Sequence, residues 1–471
     1  MTTDAYRSFL ASKEISNAPC GFAIDRATLP VGMYPYQSDI TEWACKRGKS
    51  ALFGMTGTGK TLMQCAFADQ VRSHTSGDVL VVAPLAVAKQ TVMEAAKFGI
   101  HVGYVRHADE VKSGISITNY EMLDKFESIQ WAGIVPDESS IPKNFSGKTR
   151  NYIIDYAKYI PFNLPCTATP SPNDFMEIGN HAEFLGVMSY TEMLATFFVH
   201  DGGETSKWRL KGHAEESFWK WLASWAVFIT KPSDLGYSDL GFQLPPLQTV
   251  QHIVPSEAQE GSLFAFEVKG LQERQGARRE SIERRVAKCA EIVAQSPKPF
   301  MIWCGLNAEA DALKKAIPGA VEVRGSDNDE YKAQTILDFA AGKIPILISK
   351  SSIFGYGMNL QVCCNTAFVG LSDSFEDIFQ ATKRFHRHGQ TKDVTRHIIY
   401  SEAEGSVYQN IMRKEADFMV MINNMVQHTK SITMGNIKAL SREHDDYNAD
   451  KNVIIPDWLI GGQDGLTVVG N

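Results

Sequence analysis

A chain of 471 residues, 44% hydrophobic and 21% charged, with ordinary glycine and proline counts, is too long for one small domain and too apolar for an extended disordered one. A net charge of -7 argues against a surface coated in positive charge, while leaving room for a local basic stripe. No apolar run approaches a membrane span, the opening MTTDAYRSFLASKEIS lacks the build of a secretion signal, and the eight cysteines show no CxxC spacing. The expectation is therefore a cytoplasmic protein with reduced thiols and no membrane partner.

In chain order, residues 1–30 are an N-terminal segment and a first lobe is expected over 31–186. Ser50 to Gly54, Val79 to Ala83, Ile115 to Thr118 and Gly133 to Val135 read as short apolar strands, with helical patterns at Thr61 to Ser73 and Ala88 to Phe98. This alternation predicts a parallel sheet with crossover helices. From 187 to 250 the composition shifts to SFWKWLASWAVF and ends in GFQLPPLQ, which predicts a helical insertion and a proline-rich crossing. A long helix over 264–296 leads into a second lobe at 251–430, with strands expected near 300–304, 321–323, 344–349, 366–371 and 395–400. Residues 431–471 are weakly patterned and predict a loose tail. The predicted fold class is α/β, two tandem lobes of parallel sheet with flanking helices and a helical insertion between them.

Gly54-Met55-Thr56-Gly57-Thr58-Gly59-Lys60-Thr61 fits GxxxxGK[ST], directly after a strand and before a helix. In that setting backbone N–H groups curl around a phosphate, Lys60 reaches the outer oxygens and the Thr61 hydroxyl is a magnesium ligand. Further on, the strand GIVP runs into Asp137-Glu138. An isolated acidic pair is usually a solvated turn; after a phosphate loop it predicts Asp137 on magnesium and Glu138 on the attacking water of ATP hydrolysis. Pro136 is unusual there, since it removes a ladder donor at the end of a central strand. In the second lobe Asp377, Gln380, Arg384 and Arg387 fall at i, i+3, i+7 and i+10, which predicts one helical face ending at Gly389. Its cations suit a γ-phosphate across a cleft.

These residues carry a resemblance. Gln380 to Gln390, QATKRFHRHGQ, resembles the QxxGRxxRxGQ motif of SNF2-like members of helicase superfamily 2, with Lys383 in place of the usual glycine. Tyr36-Gln37, Gly54 to Thr61, Ala83-Pro84, Asp137 to Ser140 (DESS), Thr167 to Pro170 (TATP) and Gly355 to Leu360 (GYGMNL) resemble the remaining motifs in family order, over about residues 30 to 415. The DESS form and the insertion are most similar to compact bacteriophage and prophage members. The resemblance implies two RecA-like lobes with ATP and Mg2+ between them. Gln37 would read adenine, Gln380 and Gly357 would line the nucleotide, Thr167, Thr169 and Asn359 would link it to nucleic acid, and Arg384 and Arg387 would be the finger pair. With Ser-Ser where relatives have Ala-His, coupling would run through Ser140. It also implies an ATP-dependent motor on DNA, double-stranded by preference, with RNA as a lesser alternative and a protein partner open. A rival is an ATP-controlled binding switch that does not step.

Other features have plainer explanations. Trp208, Trp219, Trp221 and Trp225 could stack bases, but Phe218, Leu222, Trp225 and Phe228 or Ile229 follow core spacing, which predicts helical packing instead. Lys143, Lys148 and Arg150 are equally a phosphate contact or a solvated loop. Arg278, Arg279, Arg284 and Arg285 form a basic patch that neighbouring glutamates, Glu280 and Glu283 among them, can neutralise. His386 and His388 are expected to line the turn around Arg387.

Overall fold

The computed structural model describes residues 19–140, 147–171, 174–200, 208–256, 279–354, 359–372 and 374–441. The first lobe comprises α1 (Pro35–Arg47), β1 (Ala51–Gly54), α2 (Lys60–Thr75), β2 (Val79–Val82), α3 (Leu85–Lys97), β3 (Val102–Tyr104), β4 (Ile115–Thr118), β5 (Gly133–Pro136), α4 (Gly147–Lys158), β6 (Phe162–Asn163), β7 (Cys166–Thr167), α5 (Ile178–Phe184), α6 (Tyr190–Phe197), β8 (Phe198–His200), β9 (Trp208–Leu210), α7 (Glu215–Trp225) and β10 (Ala226–Ile229). The second comprises β11 (Leu247–Val254), α8 (Ile282–Gln295), β12 (Phe300–Cys304), α9 (Asn307–Ala316), β13 (Val321–Glu322), α10 (Asp329–Ala340), β14 (Ile346–Ser349), α11 (Ser351–Phe354), β15 (Asn365–Val369), α12 (Phe375–Thr382) and β16 (Val394–Ser401). The chain then runs into α13 (Gly405–Ser441).

In the first lobe the strand order is β3-β4-β2-β5-β6, and a bridge between Asp137 and Cys166 carries the sheet on to β7, β1 and β10. The break between β6 and β7 falls at Leu164-Pro165, where proline has no donor for the ladder. The second lobe has order β11-β16-β15-β12-β14-β13. Both sheets are parallel throughout; β8 and β9 pair as a separate antiparallel hairpin. The two tandem lobes of parallel sheet with flanking helices expected from the sequence are present.

The strands are parallel because both of their faces are apolar. In β1 and β2, Phe53, Leu80 and Val82 enter one core while Leu52, Val79 and Val81 enter the other. The second lobe repeats this, with Met301 and Trp303 on one side of β12 and Phe300 and Ile302 on the other. Helices cover each face, so the carboxyl ends of β1, β5 and β7 open together at one edge.

Residues 187–250 hold α6 and α7, and also β10, which pairs with β1 from Ala51↔Ala226 to Gly54↔Ile229 and so closes the first sheet. Phe218, Leu222 and Trp225 of α7 are buried in that lobe's core, the packing role expected of this aromatic run. Helix α13 spans both units. Val407, Tyr408 and Ile411 belong to the second lobe's core, whereas Phe418, Met421, Ile422 and Met425 join the first lobe's. Phe418 lies 5.4 Å from Phe375 and 5.0 Å from Phe379, and His428 stacks on Trp219 at 5.0 Å. The helix therefore continues well past residue 430.

Phe418 is 1% exposed where three elements meet, and truncating it leaves a cavity that the packed core cannot collapse. Phe418→Ala is expected to destabilise the protein by about 3 kcal/mol or more in urea unfolding. An unchanged midpoint would contradict the contacts drawn for α13.

Candidate active site

The first element of the site is the turn between β1 and α2. Gly57 and Gly59 have φ of +95° and +80°, and a Cβ on either would collide with its surroundings: at Gly57 it would lie 2.8 Å from His388 N, and at Gly59 it would run into Gln37 Nε2. Glycine is required at both positions. Gly59 caps α2 in the left-handed region, and Thr58 closes the turn with its hydroxyl donating to the Met55 carbonyl at 2.8 Å. Met55 and Thr56 form the start of the turn. Lys60 Nζ donates to the Gly54 carbonyl at 2.7 Å, and Thr61 follows in the first turn of α2. A sixteen-residue helix thus directs its amino end at a ring of glycine backbone, which favours an anion.

Gln37 supports this loop from behind. Its Nε2 donates to the Thr58 carbonyl at 3.1 Å and to Tyr36 Oη at 3.3 Å, while its Oε1 accepts the Tyr34 N–H at 3.0 Å. Tyr36 Oη also donates to the Thr58 carbonyl, at 2.8 Å. Every polar atom of the Gln37 amide is therefore engaged with protein.

Asp137 and Glu138 stand at the end of β5, two strands from β1, with β7 between. Pro136 occupies the last ladder position of β5, opposite Val82, and the next N–H, that of Asp137, donates to the Val82 carbonyl at 2.7 Å. Asp137 Oδ1 accepts Gln64 Nε2 at 2.7 Å and the Glu138 N–H at 3.0 Å. Its Oδ2 is left to other ligands, so a hydroxyl at Thr61 and a carboxylate oxygen at Asp137 supply hard oxygens of the kind Mg2+ takes. Burial, and then the neighbouring Glu138 charge, push the Asp137 carboxyl up to about 6. Glu138 itself has φ of +50°, a sparsely populated conformation for a side chain of this kind. Lys60 is pushed down, first by burial and then by Arg384 and Arg387, against the raising effect of Glu138 and Asp137.

The second lobe supplies the facing wall. Arg384 Nη2 lies 3.7 Å from Glu138 Oε1 with both side chains almost fully buried, and it donates to Gln380 Oε1 at 2.8 Å. Gln380 Nε2 in turn donates to Thr169 Oγ1 at 3.1 Å, in the first lobe. Arg387 is lowered to about 10, by burial first and by the Arg384 charge next, and its Nε meets no hydrogen-bond acceptor. The expected helical stripe through Arg387 is not formed. Helix α12 ends at Thr382 and the bonds tighten to Arg384 N–Ala381 O and Phe385 N–Thr382 O, so both arginines sit on turns. The tightening lets the Arg384 side chain fold back onto Gln380, whose backbone carbonyl also accepts Arg384 Nε at 3.1 Å.

Thr167 Oγ1 donates to Glu138 Oε2 over a long 3.5 Å, and Ser140 Oγ lies 3.3 Å from Thr167 Oγ1 and 3.4 Å from Thr169 Oγ1. Two participants escaped the sequence. Glu376 accepts the Thr169 hydroxyl at 3.0 Å, and Ser139 Oγ meets His181 Nε2 at 2.9 Å. Glu376 was hidden because Asp377, not Glu376, fell on the expected stripe; the Asp377 backbone instead bonds to the Ser374 cap. His181 has no motif to mark it.

Asn359 joins the lobes elsewhere, donating to Glu94 of α3 at 2.8 Å, whereas Gly357 lies outside the described residues. His386 Nε2 donates to the Pro245 carbonyl at 2.8 Å and His388 stacks on Phe242 at 4.7 Å, so both bind the crossing segment to the turn around Arg387. Burial lowers Lys383 to about 8, with its ammonium 5.4 Å over the Phe379 ring. Arg150 bonds to Asn180 and Glu183 and so pins α4 to α5; Lys143 and the Lys148 side chain lie outside the described residues. The basic patch expected near 280 is divided. Arg285 is fully buried against Glu309 at 2.8 Å because it falls on the apolar face of α8 with Val286 and Cys289, Arg284 bonds to the Pro255 carbonyl, and Arg278 lies outside the described residues. All eight cysteines are free thiols, and no described helix is long and apolar enough to cross a membrane.

No protein-family model matches the chain, and no curated protein matches it either. Among solved structures it is similar to a Sulfolobus solfataricus SWI2/SNF2 ATPase core in complex with dsDNA, at 17% identity and a TM-score of 0.42, over 88% of this chain and 99% of that one.

The raised Asp137 carboxyl has a direct consequence for stability. The folded state favours the protonated form, so the relative stabilisation is complete below the unfolded value and is lost as pH rises to about 6. Asp137→Asn keeps an acceptor for Gln64 without the buried charge. It is expected to melt higher than the unsubstituted protein at pH 8, by an amount that falls as pH is lowered through about 6 and approaches zero only below the unfolded value of 3.8. Equal melting temperatures of the two proteins at pH 8 would show that Asp137 is not held this way.

Proposed function

We propose that the chain is an ATPase that binds MgATP between its two lobes and couples hydrolysis to movement on DNA. The observation that carries this reading is the convergence of Lys60, Glu138 and Arg384, two from one lobe and one from the other, around the amino end of α2. Three cations (Lys60, Arg384, Arg387) outnumber two carboxylates, one of which takes up a proton near neutrality. A polyphosphate would balance that excess.

In this mechanism the amides of Gly57 to Thr61 cradle the phosphates and Lys60 leaves the Gly54 carbonyl for the outer oxygens. Thr61 and Asp137 would hold Mg2+, which would supply positive charge against the phosphates when bound. Glu138 orients the attacking water and accepts its proton at a carboxylate oxygen. Arg387, whose Nε has no protein acceptor, meets the charge developing on the γ-phosphoryl group, while Arg384 binds Glu138 and Gln380. Gln37 reads adenine only by giving up one of its present partners. The proposed cycle closes the lobes on ATP and opens them after hydrolysis, and the contacts made by Asn359, Thr167 and Thr169 pass that change to the track. The likeness of residues 355–360 and 380–390 to SNF2 motifs favours translocation along double-stranded DNA over strand separation.

ATP turnover with and without duplex DNA tests the reading, together with triplex displacement. Duplex is expected to stimulate turnover and ATP to drive displacement of the third strand. Glu138→Gln is expected to lower kcat by about 10²-fold or more with ATP binding retained. Binding of ATP and DNA with no stimulated turnover in the unsubstituted protein would favour a switch that does not step; stimulation by RNA alone would replace the track.

A further inference from the structure

We infer that Glu376 is a positioning residue through which closure of the second lobe sets the side chain of Glu138. This inference rests on the ATPase reading above and names a residue that reading does not use. Glu138, Thr167, Ser140, Thr169, Gln380 and Arg384 form a closed ring of polar contacts, with steps of 3.5, 3.3, 3.4, 3.1, 2.8 and 3.7 Å. Glu376 Oε1 enters it from the second lobe, 3.0 Å from Thr169 Oγ1 and 3.4 Å from Ser140 Oγ.

Donor counting fixes the direction of the bonds. A hydroxyl has one hydrogen to give, and a carboxylate only accepts. Thr169 therefore gives its hydrogen to Glu376 and receives the Gln380 amide, and this orientation of Gln380 is the one that leaves Oε1 for Arg384. Thr167 Oγ1 accepts the Thr169 N–H at 3.1 Å and has its hydrogen for Glu138. Ser140 Oγ lies 3.4 Å from Glu376 Oε1 and reaches Glu138 only through Thr167. With Glu376 in place its hydrogen is drawn to the second lobe, and the Thr167 hydroxyl is left to orient Glu138. Without the Glu376 acceptor the Thr169 hydrogen can turn to Gln380, whose amide then flips. Gln380 Oε1 leaves Arg384, and the guanidinium that faces Glu138 at 3.7 Å loses the side-chain acceptor that fixes it. Glu376 thus makes the aim of Glu138 depend on the presence of the other lobe, from a point earlier in the chain than either arginine.

The test compares Glu376→Ala, which removes the acceptor, with Glu376→Gln, which keeps an acceptor oxygen and the shape. Steady-state ATP turnover on saturating duplex DNA, ATP binding and melting temperature are measured for each and for Thr169→Ala and the double variant. Glu376→Ala is expected to lower kcat roughly tenfold with KM for ATP within about twofold, and Glu376→Gln to recover most of the loss. Thr169→Ala is expected to cost a similar factor, and the double variant no more than either alone. Unchanged kcat in Glu376→Ala, a rise in KM with kcat intact, or full additivity with Thr169→Ala would overturn the inference. An inactive unsubstituted protein would instead overturn the ATPase reading and this inference with it, so the two failures are distinct.

Discussion

Glu138 and Arg384, one from each lobe, meet where both side chains are shielded from water. Each is almost completely removed from solvent, and a buried charge without a partner costs several kcal/mol. The contact at 3.7 Å is long for a direct ion pair, and the charges are also served by Thr167 and Gln380. The consequence is architectural. The strained backbone at Glu138, the tight turns after α12, the glycines at 57 and 59 and the crossing segment clamped by His386 and His388 all bring groups to this meeting point. Helix α13, with one end in each core, holds the two units close enough for the contact to persist.

Electrostatic balance explains why this arrangement suits a polyanion. Burial, and then Arg384 and Arg387, depress Lys60, burial and Arg384 depress Arg387, and burial beside the Glu138 charge pushes the Asp137 carboxyl up to about 6. Such frustration is costly to the apo protein and is relieved by a ligand that brings negative charge and a divalent cation together.

Much of this was legible in the sequence because its signals were local. The glycine turn at the head of α2 follows from glycines at fixed spacing between a strand and a helix, and β1, β2, β4 and β5 from short doubly apolar runs that only a covered parallel sheet can use. What remained hidden depends on partners distant in the chain. Periodicity extended α12 to Arg387, because a stripe of polar residues cannot show that a side chain bonding back to Gln380 ends the helix. Glu376 and His181 lie off every motif, and only the packed structure places them beside Thr169 and Ser139. Arg285 looked like surface charge because its buried partner, Glu309, belongs to the next helix.

The central claim is that one catalytic cleft is shared by two lobes, and Arg387 is its sharpest probe, since it belongs to the second lobe and its Nε has no hydrogen-bond partner among the described residues. The decisive measurement is single-turnover hydrolysis of bound ATP by Arg387→Ala on saturating duplex DNA. The shared cleft predicts that ATP still binds to the phosphate loop while the rate of hydrolysis falls by about 10³-fold. Hydrolysis at the unsubstituted rate would mean that the first lobe acts alone and that the facing wall has no part in the chemistry.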